Sequence, residues 1–104
     1  MSRAANPLRG ESEVTIAGRR LVLRPSFDAL VAAESEIGSL FALVERAASG
    51  ALALSEISAL LWHCLPSDDR PSREEVGEAV LEIGLVAATR PVRAILSEAL
   101  KGRA

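Results

Sequence analysis

The sequence predicts an α+β domain, mostly α: an N-terminal β-hairpin packed on a bundle of four to five short helices. Three observations lead there. Apolar and polar residues alternate on either side of Gly18, the period of half-buried strands. From Phe27 onward apolar residues recur every three or four positions, as on the buried side of a helix. Serine, glycine and proline punctuate those stripes at short intervals, which makes the helices short and several.

Taken in order, residues 1–12 show no periodicity and read as an extended arm. Asn6-Pro7 favours extended or turn backbone, because the proline ring disfavours helix at the residue before it, and Leu8 is the arm's apolar handle. Residues 13–24 read as the hairpin. Val14 and Ile16 alternate with Glu13 and Thr15, Gly18 supplies a turn position tolerant of positive φ, and Leu21-Val22-Leu23 returns. Such a hairpin is marginal alone in water, so it must lie on the helices.

Residues 26–101 form the helical part. Ser26 is the cap of a first helix with Phe27, Leu30, Val31 and Ile37 on its apolar side and Gly38 at its end. Ser39 opens a second, with Leu40, Leu43, Val44 and Ala47 as its stripe. A third begins near Ser55 and carries the cleanest stripe, Ile57, Leu60, Leu61, Cys64 and Leu65. Ser72 and Glu75 match a capping box for a fourth, with Val76, Ala79, Val80 and Ile83 on one side. Gly84 weakens it, and Pro91 predicts either a bend or a fifth helix starting near Thr89 to Pro91. Val92, Ile95, Leu96 and Ala99 close the series before Gly102.

The chain's 104 residues suit one domain, and 49% of them are hydrophobic against 25% charged, which argues against global disorder. Twelve basic residues against 14 acidic ones remove the overall attraction that phosphate binding needs. Phe27, Phe41 and Trp62 are the whole aromatic set, a poor platform for base stacking. One cysteine excludes an intramolecular disulfide, and lone Cys64 with lone His63 cannot build a zinc site. No apolar run is long enough for a bilayer, and no signal-peptide hydrophobic region opens the chain. These features lead to the expectation of a soluble cytoplasmic protein without cofactor, membrane or nucleic-acid partner.

His63-Cys64 is the one pairing that resembles a nucleophile with its base, but neighbours on a helix point about 100° apart. Cys64 lies on the apolar stripe, where a free thiol packs as a small hydrophobe. No catalytic or metal-ligating residues are expected. Glu34 falls inside the first helix's stripe and needs a donor. Arg24, another arginine, or free backbone N–H groups are the candidates, with a structural role fixing hairpin against helix. Phe27, Gly18 and Gly38 are the other structural positions.

Apolar side chains left off the stripes are the better functional signal. Leu81 and Leu85 sit roughly opposite the fourth helix's stripe, and Trp62 lies off the centre of the third. A helix apolar on two sides is buried between layers or offers one side to a partner. Trp62, Leu81 and Leu85, with Asn6 and Leu8 of the arm, are therefore the candidate partner-binding residues.

Ala5-Asn6-Pro7-Leu8-Arg9-Gly10-Glu11, followed by a hairpin ending Leu21-Val22-Leu23-Arg24-Pro25-Ser26-Phe27, resembles the gene transfer agent family of small tail proteins. That family is similar to the tail assembly chaperones of long-tailed phages. The resemblance runs on through Leu30, Glu34, Gly38, Ser39-Leu40 and the third helix, and thins after Pro66. It implies a non-enzymatic chaperone in the bacterial cytoplasm that binds the tape measure protein, aids assembly of the tail tube protein, and works in repeated copies as a homo-oligomer. A permanent structural place in the tail is the alternative within the family, and a small helical DNA-binding regulator the alternative outside it.

Overall fold

Ser12–Ile16 (β1) and Arg19–Leu23 (β2) pair antiparallel, with Ser12 opposite Leu23 and Ile16 opposite Arg19. Five helices follow: α1 (Phe27–Ile37), α2 (Leu40–Ala48), α3 (Leu54–His63), α4 (Arg73–Ile83) and α5 (Leu85–Lys101). This is the computed structural model, and it describes residues 5, 6 and 11–101. The α+β, mostly helical architecture is the one the sequence predicts.

The hairpin turns through Ala17 at φ 52° and Gly18 at φ 77°. Two successive residues at positive φ match the right-handed twist of paired strands. Glycine adopts this without steric cost, whereas Ala17 loses about 1 kcal/mol there. Ile16 and Leu23 are fully buried, with Val14 and Leu21 packed beside them, so one side of the ribbon lies on the helices. Two bonds hold it down. The Arg24 N–H donates to the Cys64 carbonyl at 2.8 Å, and the Arg19 guanidinium meets the Asp69 carboxylate at 2.8 Å. Before the strands, the Asn6 N–H donates to Glu11 Oε1 at 2.9 Å and the Glu11 N–H to the Asn6 carbonyl at 3.1 Å. The extended arm expected over residues 1–12 falls mostly outside the described residues, and Leu8 with it.

α3 is the central helix, packed on α1, α4 and α5. It buries Ile57, Ala59, Leu60 and Leu61, and Cys64 and Leu65 continue the same side. Ser26, Ser39 and Ser72 cap α1, α2 and α4 through their hydroxyls, and Glu75 completes the capping box on α4. The α3 start uses half of that device: Ala53 offers no side-chain acceptor, but Glu56 accepts from the Ala53 N–H at 2.8 Å. Glu56 is held in place by a bidentate pair with Arg46 of α2.

Three expectations are corrected. Phe27 is 79% exposed rather than part of the core, and Val31 is 44% exposed. The buried side of α1 centres on Ala33, flanked by Ala29, Leu30 and Ile37. At about 100° per residue Phe27 and Val31 stand about 120° and 160° away from Ala33. Ile83 follows the α4 stripe but overruns the core at the helix end and is 49% exposed. The fifth helix begins at Leu85, not near Pro91, which lies inside it. Pro91 leaves the Ala87 carbonyl without its intrahelical donor, and Ala87 is exposed, so water can supply one. The Thr89 hydroxyl donates to the Val86 carbonyl at 2.5 Å in the same turn.

Candidate functional site

α2 and α5 pack side by side and differ in length. Nine helical residues span about 13 Å and seventeen about 25 Å, so α5 outruns its neighbour. Part of what α2 leaves uncovered on α5 is apolar. The result is three adjoining concavities along one seam. A space of about 220 Å³ is lined by Leu52, Leu85, Val86, Thr89 and Val92, among others. It shares Ala47 and Arg93 with a central one of about 420 Å³. The central space shares Val44, Leu96 and Leu100 with a third of about 130 Å³, where Leu40 and Phe41 join. Together they make one groove with a hydrophobic floor and a polar edge of Arg93, Ser97 and Lys101.

Side chains at its margins reach into solvent. Phe41 is 74% exposed, Val86 87% and Leu100 54%. Sequence reasoning missed these three. Phe41 and Val86 were legible as large apolar residues off their helices' stripes. Leu100 was not, because its exposure depends on how far α2 extends alongside it.

Leu85 is 46% exposed at the groove's end, and Leu81 is 56% exposed on α4. Leu85 lines the groove, whereas Leu81 and Trp62 are not among the residues of its three concavities. Trp62, for which burial and partner contact were both open, is half-buried. Its indole N–H donates to the Pro71 carbonyl at 3.0 Å, the Arg70 and Arg73 guanidinium carbons lie 4.2 and 4.1 Å from the ring centroid, and the His63 ring meets it edge-on. An indole N–H demands an acceptor and its ring attracts cations. Here the acceptor and one cation come from the turn before α4, and the second cation, Arg73, opens α4 itself. Asn6 is exposed and tied to Glu11.

Glu34 is exposed on α1, and the partner of its side chain is on the following helix and not on the hairpin. Its carboxylate accepts from the Leu40 N–H at 3.0 Å, and its carbonyl accepts from the Gly38 N–H at 3.0 Å. Of the candidate donors, the free backbone N–H at the next helix start is the one used, so Glu34 joins α1 to α2. Gly38 sits between them at φ 100°, ψ −177°.

His63 and Cys64 do not form a nucleophile–base pair. His63 Nε2 lies 2.8 Å from Glu36 Oε1, and since a carboxylate only accepts, that nitrogen carries the proton. The Arg73 guanidinium donates to the other Glu36 oxygen at 2.6 Å. These donors hold the Glu36 carboxyl down at about 2. Burial pushes the Cys64 thiol up to about 12, far from a thiolate. A mixed polar concavity of about 390 Å³ beside them is lined by Arg24, Ser26, Asp28, His63 and Arg70, among others. Among the described residues no three His, Cys, Asp or Glu side chains come together around a metal-sized space, and no helix is long and apolar enough to cross a membrane.

A family model described as "Phage tail tube protein, GTA-gp10" matches residues 9–102. No curated protein and no solved structure matches the chain.

Proposed function

The chain belongs to the family described as phage tail tube protein, GTA-gp10, and from its resemblance to tail assembly chaperones together with its apolar groove we propose that it acts without catalysis as a tail assembly chaperone of a phage-like gene transfer agent. The observation that carries this reading is the groove between α2 and α5. An apolar channel about 25 Å long accommodates four to five turns of an amphipathic helix. Its client is the tape measure protein, whose helical segments need cover until the tail tube protein displaces the chaperone. An open, shallow groove suits that task, because occupancy at each site is reversible. The work is done in the bacterial cytoplasm.

The family description favours a second reading, in which the chain stays in the tail as a structural component and a neighbouring subunit fills the groove. One experiment separates the two. The chain is co-expressed with the tape measure protein, and purified particles are assayed for it. A chaperone renders the tape measure protein soluble, co-purifies with it and is absent from particles. A structural subunit is found in particles in proportion to the tube. Failure to solubilise or co-purify overturns the chaperone reading.

A further inference from the structure

The outward sides of α4 and α5 carry opposite charges that the single chain leaves unmatched. We propose that a second copy of this chain supplies the match, the acidic side of α4 on one copy lying against the basic side of α5 on the other. Glu74, Glu78 and Glu82 fall at i, i+4 and i+8 and are all exposed, with Leu81 between them at 56% exposure. Arg90, Arg93 and Lys101 fall at i, i+3 and i+11 on one side of α5, also exposed, next to Val86 at 87%. Residues three, four, seven, eight and eleven apart share a helix face.

Segregation by sign is what separates these stripes from ordinary surface charge. From Glu74 to Thr89 the chain has four acidic residues and no basic one, and from Arg90 to Lys101 it has three basic residues and one acidic. None of the six stripe charges has an ion-pair partner among the described residues. By contrast, Arg19, Arg46 and Arg73 are all engaged within the fold. Each stripe also holds one large exposed apolar side chain, so the same contact that pairs charges covers Leu81 and Val86. A net charge of −2 puts little general repulsion in the way. Val86, Arg93 and Lys101 also border the groove, so a second copy and a client helix would meet part of the same surface; the charge match itself rests on neither reading of the function.

Single surface ion pairs are weak and screened by salt, which makes the association modest and salt-dependent. Sedimentation equilibrium tests it on the full chain and on two charge-reversed variants, Glu78→Lys/Glu82→Lys and Arg90→Glu/Lys101→Glu. At ~20 mM salt, where the Debye length exceeds the contact distance, the wild type exceeds single-chain mass, and at ~500 mM it returns to it. Each variant alone associates at least about tenfold more weakly, because its α4 and α5 then carry the same sign. An equimolar mixture of the two variants associates again. Far-ultraviolet circular dichroism checks that both are folded; where one is not, the neutral pair Glu78→Gln/Glu82→Gln or Arg90→Gln/Lys101→Gln replaces it, and the test then reads its own loss of association and not recovery in the mixture. A wild type of single-chain mass at low salt, variants that associate as the wild type does, or a mixture that stays apart each overturns the proposal. Tape measure capture is read separately in Glu78→Lys/Glu82→Lys, whose substituted residues line none of the three concavities, so losing self-association there does not imply losing capture.

Discussion

Glu36 and Arg73, 37 positions apart in the chain, meet at 2.6 Å where the end of α1 approaches the start of α4. The same carboxylate holds His63, and the same guanidinium lies over Trp62, so one contact ties three helices together. The folded Glu36 carboxyl stands at about 2, below its ordinary value of 4.5. Its folded state therefore favours the charged form. That contribution is fully present above 4.5 and is lost as pH falls toward about 2. Glu36→Gln removes it. The urea midpoint of the variant should lie below that of the wild type at neutral pH, and the gap should close across that acid window. A gap that stays constant with pH would show that the pair contributes nothing through charge.

Trp62 belongs to the same assembly, and its truncation should act on stability first. Half-buried, stacked by two guanidiniums and hydrogen-bonded to Pro71, it resembles a core residue more than a free contact. Trp62→Ala should cost about 2–3 kcal/mol of unfolding free energy. Trp62→Phe keeps the ring and loses only the N–H donor, at about 1 kcal/mol. Denaturant titrations of both variants, followed by circular dichroism, check the difference.

The groove should behave in the opposite way. Phe41 and Leu100 are exposed, so Phe41→Asp and Leu100→Asp should shift stability by no more than about 0.5–1 kcal/mol. Tape measure capture should fall by at least about tenfold, since a carboxylate then faces the apolar side of the client helix. Pull-down at matched concentrations measures it. Unchanged capture in both variants removes the groove as the client site.

Cys64 reports global opening. It is 2% exposed and its thiol is held near 12, so native protein should resist thiol reagents at neutral pH. Labelling should appear only as the domain unfolds, and its rate should rise with urea in step with the unfolded fraction. Fast labelling of native protein would show local opening at the end of α3.

Gly38 lies at φ 100°, ψ −177°, a region that residues with a Cβ avoid, although nothing within 4 Å would meet an added Cβ. Gly38→Ala should therefore cost about 1–3 kcal/mol through backbone strain and not through a clash. A thermal melt tests it.

The capping serines, the capping box on α4, the hairpin around Gly18 and the stripe of α3 were legible because each depends on residues within a few positions. Phe27 and Ile83 were misread for different reasons. The buried side of α1 centres on the small Ala33, so the larger Phe27 and Val31 suggest a stripe rotated away from it; on α4 the stripe shows which side is apolar but not where along it the core ends. Pro91 misled because its cost depends on whether the carbonyl it deprives is solvated. The partners of Trp62 come from eight to eleven residues on, across a turn whose shape no local pattern specifies. The groove was hidden most completely, since it arises from the unequal lengths of two helices that only the tertiary fold places together.

The clamp of the hairpin has a consequence for how the chain is made. Arg19 waits for Asp69, 50 residues later, and Arg24 waits for Cys64. At a synthesis rate of roughly 5–20 residues per second, that interval lasts about 3–10 s. Throughout it the N-terminal ribbon has no floor to rest on, and its unpaired edges are open to neighbouring nascent chains. The acidic turn that anchors the finished domain is therefore also the part of the chain whose synthesis the ribbon must await.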